Sequence, residues 1–467
     1  MINHIIKKEF KETLRDGRFK IASAIIILLA VTALFITSNQ YKTVNNQHIE
    51  AKQKERKAWE SQGDKTPHSA AHYGNYVFKP KSPLSLIDQG VDKYTGISIF
   101  LEAHKRSEAQ FSNASDQTAL SRFGELTIDF ILLYILPLII ILIGYNSFTK
   151  EIEGSTYQIL KSQGIVGWKL LFGKWLATLI PPIAITTILF LISGVLLTSI
   201  DNFGTLNWSA LGTLYFTYCF YYIVLTNIVL LISSLTRKSG ISLVINLFFW
   251  VLACFVTPKI ASNLAESQYP FPTHQEFSKR VEEENKKGLD GHNPWSKEAK
   301  KLEKEVLQKY GVDSLHKLPF NFSAYRMQKG EEYQAAVYAK HYNYLEKQAQ
   351  NQYNVYKSAS IISPFLPTRF LSMAITQTDY NSHRDFAEAA EQYRIEAQRF
   401  LNGTEEKNSK YGERYVASND IWSKLPEFKY EKASFASVVP NNFTLFLILL
   451  LWFGISGIAL LLTNKKY

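Results

Sequence analysis

The stretch nearest to a phosphate-binding loop is Gly167-Trp-Lys-Leu-Leu-Phe-Gly173-Lys174-Trp175, and it fails as one. Five residues separate its glycines where a Walker loop has four, and Trp175 stands where a hydroxyl must hold Mg²⁺. The chain has no G-x-S-x-G nucleophile elbow and no H-E-x-x-H zinc helix. His68 and His72 have the i, i+4 spacing that sets two metal ligands on one helix face. Their segment, Asp64 to Gly74, does not read as a clear helix, and no acidic or cysteine third ligand lies near, so they read as surface histidines. Met327 and Met373 are too few for a thioether copper relay. Cys219 and Cys254 fall in apolar runs and read as small core hydrophobes. Asp129, at the start of an apolar run, reads as a hydrated or capping carboxylate. The expectation is a chain with no catalytic residue, no metal site and no cofactor of its own.

Three stretches concentrate the remaining polar chemistry. Lys150-Glu-Ile-Glu-Gly-Ser-Thr-Tyr-Gln to Gly164 and Lys174 reads as a helix, a break at Gly164, and a second helix entering an apolar run. Glu151, Glu153 and Ser155 could cap and charge its first turn, making an acidic element suited to docking. Residues 1–20 carry Ile2, Ile6, Phe10 and Leu14 at four-residue spacing among Lys and Glu, an amphipathic helix suited to a headgroup layer. Asp379, His383, Phe386, Glu391 and Arg394 fall on a third predicted helix. They are either a polar network that holds that helix against the Ser363–Met373 segment or a patch that docks a partner.

These stretches hang on a frame set by charge distribution. The chain has 467 residues, 46% hydrophobic and 20% charged, an average that hides two compositions. Charge-free runs of 21, 20, 26, 35, 20 and 32 residues follow Lys20, Asp129, Lys174, Asp201, Lys238 and Lys432. About 20 apolar residues cross a hydrocarbon core as a helix. Six spans are therefore expected, which excludes a soluble enzyme, a disordered chain and an outer-membrane barrel. Of the net charge of +11, +9 hugs the ends of the runs: residues 1–20, 146–174, 237–238 and 465–466 hold 14 Lys/Arg against five acids. The positive-inside rule then puts both termini in the cytoplasm and excludes a nucleic-acid face. The first run reads as a retained span, not a cleaved signal.

The fold class expected is an all-α polytopic membrane protein. Residues 1–20 form the amphipathic helix, and spans cover 21–38, 126–147, 175–199, 211–235, 241–257 and 441–463. Inner connections are 148–174 and 236–240, with a tail at 464–467. Outer segments are 39–125, 200–210 and 258–440; the two long ones exceed any structureless loop and imply a mainly helical domain. Helices are expected over Glu276–Lys287, Trp295–Tyr310, Ser323–Ser358 and Asn381–Leu401, punctuated by Gly288, Gly291, Pro294, Pro319, Pro364 and Pro367. Pro137, Pro181 and Pro182 break hydrogen bonds inside spans, so neighbouring helices must satisfy the freed carbonyls.

The 150–174 loop resembles the first cytoplasmic loop of type-two ABC exporter permeases. Lys8-Glu9-Phe10-Lys11-Glu12-Thr-Leu-Arg15-Asp16 is similar to that family's elbow helix. Pro83 to Glu102, and Ser363-Pro364 through His383 to Arg394, resemble a bacterial branch with large outer domains, often described as permeases linked to multicopper-enzyme maturation. The resemblance implies an ATPase-coupling role for Glu151, Glu153, Gly154, Ser155, Gln158, Gly164 and Lys174. It likewise implies an elbow role for Glu9, Phe10, Arg15 and Asp16. Tyr157-Gln158 departs from the family's usual Leu-Arg, which leaves the docking contact open. The implied partners are a cytoplasmic ABC ATPase that holds ATP and Mg²⁺, a second permease copy or sister chain, the bilayer, and an extracytoplasmic protein. The implied place is the bacterial inner membrane. The implied function is export, or movement of the outer domain to act on a partner with nothing crossing between the helices.

Overall fold

The computed structural model describes residues 2–108, 126–163, 167–200 and 203–463. The chain is an all-α polytopic membrane protein: among the described residues, six helices are long and apolar enough to cross a membrane. Helix α1 (Ile2–Arg15) leads through Asp16 into α2 (Gly17–Glu60). Helix α3 (Pro67–Tyr73) precedes strands β1 (Asn75–Phe78) and β2 (Ser98–Leu101), which pair antiparallel with Asn75 opposite Leu101. The second span is an opening turn, a π-turn over Ile131–Ile135 and α4 (Leu136–Gly144). Two short helices, α5 (Thr149–Glu153) and α6 (Thr156–Ser162), lead to α7 (Gly167–Leu197) and α8 (Thr205–Leu235). The fifth span is α9 (Ser239–Val251), a π-turn over Leu252–Val256, and α10 (Thr257–Gln268). The second insertion contains α11 (His274–Asn285), α12 (Lys297–Tyr310), α13 (Phe322–Ala359), α14 (Phe365–Thr376), α15 (Tyr380–Asn408) and α16 (Asn419–Trp422). Helices α17 (Phe435–Asn441) and α18 (Phe443–Thr463) complete the described chain.

Helix α8 is the hub of the spans and packs against α18, α7, α14 and α4. Leu214, Tyr218, Tyr221 and Tyr222 are buried along it. Tyrosine is there because prolines elsewhere need it. Pro137 has no N–H for the carbonyls one turn behind it, and the π-turn spreads the defect over two of them. The Tyr222 hydroxyl donates to Leu132 O at 2.9 Å and Tyr221 to Leu133 O at 3.4 Å, so the expected rescue by a neighbouring helix is met. Pro258 follows the other π-turn, and there Ser363 Oγ donates to Ala253 O at 2.8 Å. Helix α7 runs unbroken through Pro181 and Pro182. Trp175 Nε1 donates to Asn227 at 2.7 Å, and Asn227 donates to Ser456 at 3.1 Å, tying α7, α8 and α18 together. The opposite faces are apolar and exposed, with Leu191, Phe216, Val244, Phe248 and Ile458 among them.

Several boundaries differ from those expected. The helix that carries the first expected span does not stop at 38; α2 continues unbroken to Glu60, and Trp59 at its tip meets Trp422 edge-on. Residues 39–60 are polar yet rich in helix formers, so the composition change is not a change of element. The helix of the fifth expected span likewise runs past 257 to Gln268, and that of the third begins at Gly167. The four helices expected in the second insertion are present, three within two residues at each end and the fourth running on from Leu401 to Asn408. Helix α14 was missed because Pro364 and Pro367 read as breaks; they are its N-cap and first-turn residues, where no helical N–H is needed. Helix α14 is buried nearly throughout and packs on α8 and α18.

Candidate functional site

Helix α1 docks on α7 through Ile5, whose Cγ2 would lie 2.6 Å from a Cβ added at Gly173. That close approach is what Gly173 permits. The buried seam of α1 is Ile5 and Glu9, one position round from the Ile2–Leu14 stripe read from the sequence, and Leu14 is exposed. Phe10 is half-buried and Arg15 is exposed, while Asp16 is the N-cap of α2, accepting from Arg18 N at 2.9 Å.

Around this seam lies a chain of alternating charges. Lys174, its side chain fully buried, donates to Glu9 at 2.7 Å and to Glu151 at 3.1 Å. Lys8 donates to Glu151 at 2.8 Å, and Lys150 to Glu9 at 2.8 Å and Glu12 at 2.7 Å. Burial would push the Glu9 carboxyl up, but Lys174 and Lys150 beside it hold it down at about 2. Three elements meet here: the N-terminal helix, the loop helix α5 and the third span.

The acids of the loop are therefore not the free docking face that the sequence suggested. Glu151 is buried because Lys8 and Lys174 satisfy it, and Thr156 donates a further hydrogen bond to it. Glu153 is exposed yet accepts from Ser239 N at 2.9 Å and Ser239 Oγ at 2.5 Å, pinning the loop to the start of α9. The first break in the loop comes at Gly154-Ser155, where Ser155 takes a left-handed φ of 53°. Gly164, expected to make the break, lies outside the described residues. Gln158 and Ile159 on α6 are exposed.

Of the 379–394 motif, Glu391 and Arg394 form a buried network, but with Glu331 of α13 and not with the 363–373 segment against which it was expected. Asp379 caps α15 by accepting from Ser382 N at 3.1 Å, Phe386 is fully buried, and His383 is largely buried. Arg394 makes a bidentate pair with Glu391, both bonds 2.8 Å, and reaches Glu331 of α13 at 3.3 Å. Burial would push the Glu331 carboxyl up; the His104 hydrogen bond and Arg394 hold it below the ordinary range.

Two groupings escaped the sequence reading. Asp129 is buried and paired with a cation: it accepts from Arg369 of α14 at 2.7 Å, and the same guanidinium meets buried Asp88 at 3.1 Å. Ser372 donates to Asp88 at 2.5 Å and pairs with Tyr218 at 2.8 Å. His68 and His72 do lie on a helix, α3, started by Thr66, whose side chain accepts from Ser69 N. There they meet His104 and His292. The i, i+4 spacing was the visible signal; the other two histidines are distant in sequence and come from loops.

Residues 274–431 match the family described as Domain of unknown function (DUF3526), which spans the second insertion from α11 past α16. No curated protein matches the chain.

Proposed function

We propose that this chain is the membrane-spanning subunit of a type-two ABC exporter in a bacterial cytoplasmic membrane. In this reading α1, α5 and α6 face the cytoplasm and both long insertions face outward. A separate subunit binds ATP and Mg²⁺, and two copies, or one copy and a sister chain, pair through exposed span faces. The observation that carries the reading is the two-part loop α5–α6. Its base is locked by Glu151 to Lys174 of the third span and to Lys8 of α1, while its tip presents exposed Gln158 and Ile159. A push on α6 therefore reaches a span and the N-terminal helix at once. Docking rests on the tip, because Glu151 is buried among lysines and Glu153 is engaged by Ser239.

The test is a cysteine at Gln158 in a Cys-free chain co-expressed with the ATPase encoded beside it. Cross-linking between the two, and loss of ATPase stimulation in Ile159→Glu, are expected. No neighbouring ATPase gene, or no cross-link, removes the proposal. The orientation is tested with an impermeant thiol reagent in intact cells. Residues 60 and 300 should label and 160 and 238 should not; the reverse pattern overturns it.

Force transmission without cargo is a second reading, favoured by α2. That helix runs unbroken from the α1 junction to Trp59, whose indole donates to Trp422 O at 3.0 Å. Spin labels on α2 and α13 should then change separation on ATP addition, and an unchanged separation during turnover removes this reading.

A further inference from the structure

The two insertions meet at four imidazoles. His68 and His72 project from α3, His104 follows β2, and His292 lies in the loop between α11 and α12. One ring nitrogen from each falls within 4.8 Å of all the others. His68 Nε2 and His72 Nε2 are 3.1 Å apart, and His104 Nε2 and His292 Nε2 are 2.8 Å apart. Nitrogens bound tetrahedrally at about 2.0–2.1 Å from one ion stand roughly 3.4 Å apart, so the cluster brackets that spacing.

Hydrogen bonding among neutral rings could bring two histidines together, but the surroundings of His104 ask for more. Its Nδ1 is 2.6 Å from Glu331 Oε1, and its own backbone N–H donates to the same oxygen at 3.0 Å. Fixing the proton on Nδ1 leaves the Nε2 lone pair aimed at the other three rings. Glu331 is in turn held by Arg394, itself clamped by Glu391. A carboxylate that orients an imidazole is the usual outer partner of a metal ligand. His104 also has a φ of 68°, a left-handed conformation that non-glycine residues seldom take. The His292 loop is equally fixed. A Cβ on Gly330 would meet Gly291 N at 2.6 Å, and Arg326 Nε donates to Gly291 O at 3.0 Å.

We propose that His68, His72, His104 and His292 bind one tetrahedral Zn²⁺ ion that clasps the two insertions together, with Glu331 as the positioning residue for His104. Four imidazoles without thiolate suit zinc among the borderline divalent ions, and their convergence to one point matches its tetrahedral preference. His72 and His292 are exposed, so the ion exchanges with solvent.

The test uses the full-length chain in nanodiscs, free of any histidine tag and stripped with chelator. Co²⁺ is the spectroscopic probe and Zn²⁺ its competitor. One equivalent of Co²⁺ with the intense visible bands of a tetrahedral site, displaced by Zn²⁺, is expected. His104→Ala and His292→Ala should weaken binding at least ~100-fold and Glu331→Gln by ~10–100-fold, while His316→Ala changes nothing. His72→Ala removes an exposed ring, so its metal-free form should melt like the parent and separate lost binding from lost folding. No stoichiometric binding overturns the proposal. So does a six-coordinate Co²⁺ spectrum, affinity that survives loss of two of the four histidines, or a site that takes Cu²⁺ in tetragonal geometry and refuses Zn²⁺.

Discussion

Lys174→Met isolates what the buried charge chain does. The ammonium lies 2.7 Å from Glu9 and 3.1 Å from Glu151, and its side chain has no solvent exposure. At an effective dielectric constant of about 20, each contact carries roughly 5–6 kcal/mol of Coulomb attraction. Desolvation of three charged groups offsets much of it. Methionine nearly matches lysine in volume, so packing changes little. What remains is two buried carboxylates whose other cations, Lys8 and Lys150, are 46% and 29% exposed and too hydrated to replace it. Removing one partner of a buried pair costs about 3–5 kcal/mol, roughly two to four decades in the folding equilibrium. The assay is reversible denaturant unfolding of the purified full-length chain in mixed micelles. Adding Glu9→Gln and Glu151→Gln to Lys174→Met removes the stranded charge and should recover more than half of the loss. Glu12→Gln, at the exposed rim, should change stability by less than ~1 kcal/mol. A Lys174→Met loss below ~0.5 kcal/mol, or a triple variant weaker than the single, would refute the reasoning.

Three further outcomes are expected. Gly173→Ala should push Ile5 off α7 and speed hydrogen exchange in α1, with an overpacking loss of about 1–3 kcal/mol that Ile5→Ala partly restores; unchanged exchange would separate α1 docking from that contact. Arg369→Met leaves Asp88 and Asp129 buried without their cation and should destabilise the chain by about 3–5 kcal/mol, whereas Asp129→Asn, which keeps the Asp88 pair, should lose less; equal losses would assign the network to Asp129 alone. The Glu9 carboxyl is held at about 2 against an ordinary 4.5, so the folded state binds that proton less readily than the unfolded one. Its contribution is full above pH 4.5 and lost as pH falls toward 2, so Glu9→Gln should flatten the acid branch of the stability curve in that window; an unaltered branch would place the acid sensitivity elsewhere.

Charge-free runs mark the six spans in the sequence, because the bilayer constrains composition over about 20 residues. Their ends were less visible. Nothing in Asn39–Glu60 ends a helix, so α2 continues where the sequence turns polar. The loop acids were legible as charges but not as buried ones, since the partners of Glu151 lie 143 residues earlier at Lys8 and 23 later at Lys174. Asp88, Asp129 and Arg369 come from three segments, and no local pattern links them. His68 and His72 show the reverse case. Their spacing is legible, but the rings that complete the cluster, His104 and His292, come from segments 188 residues apart.

The continuity of α2 sets a ratio of displacements. At 1.5 Å per residue its 44 residues measure about 65 Å, more than twice a hydrocarbon core. The only non-helical residue between it and α1 is Asp16, so the base has one pivot. A tilt of about 5° there carries the far end through about 6 Å, roughly one helical turn, while residues within a turn of the pivot move by half an ångström. Were the force-transmission reading to hold, an ångström-scale movement of the Lys174–Glu9 anchor would be geared up before it arrived at the Trp59–Trp422 contact.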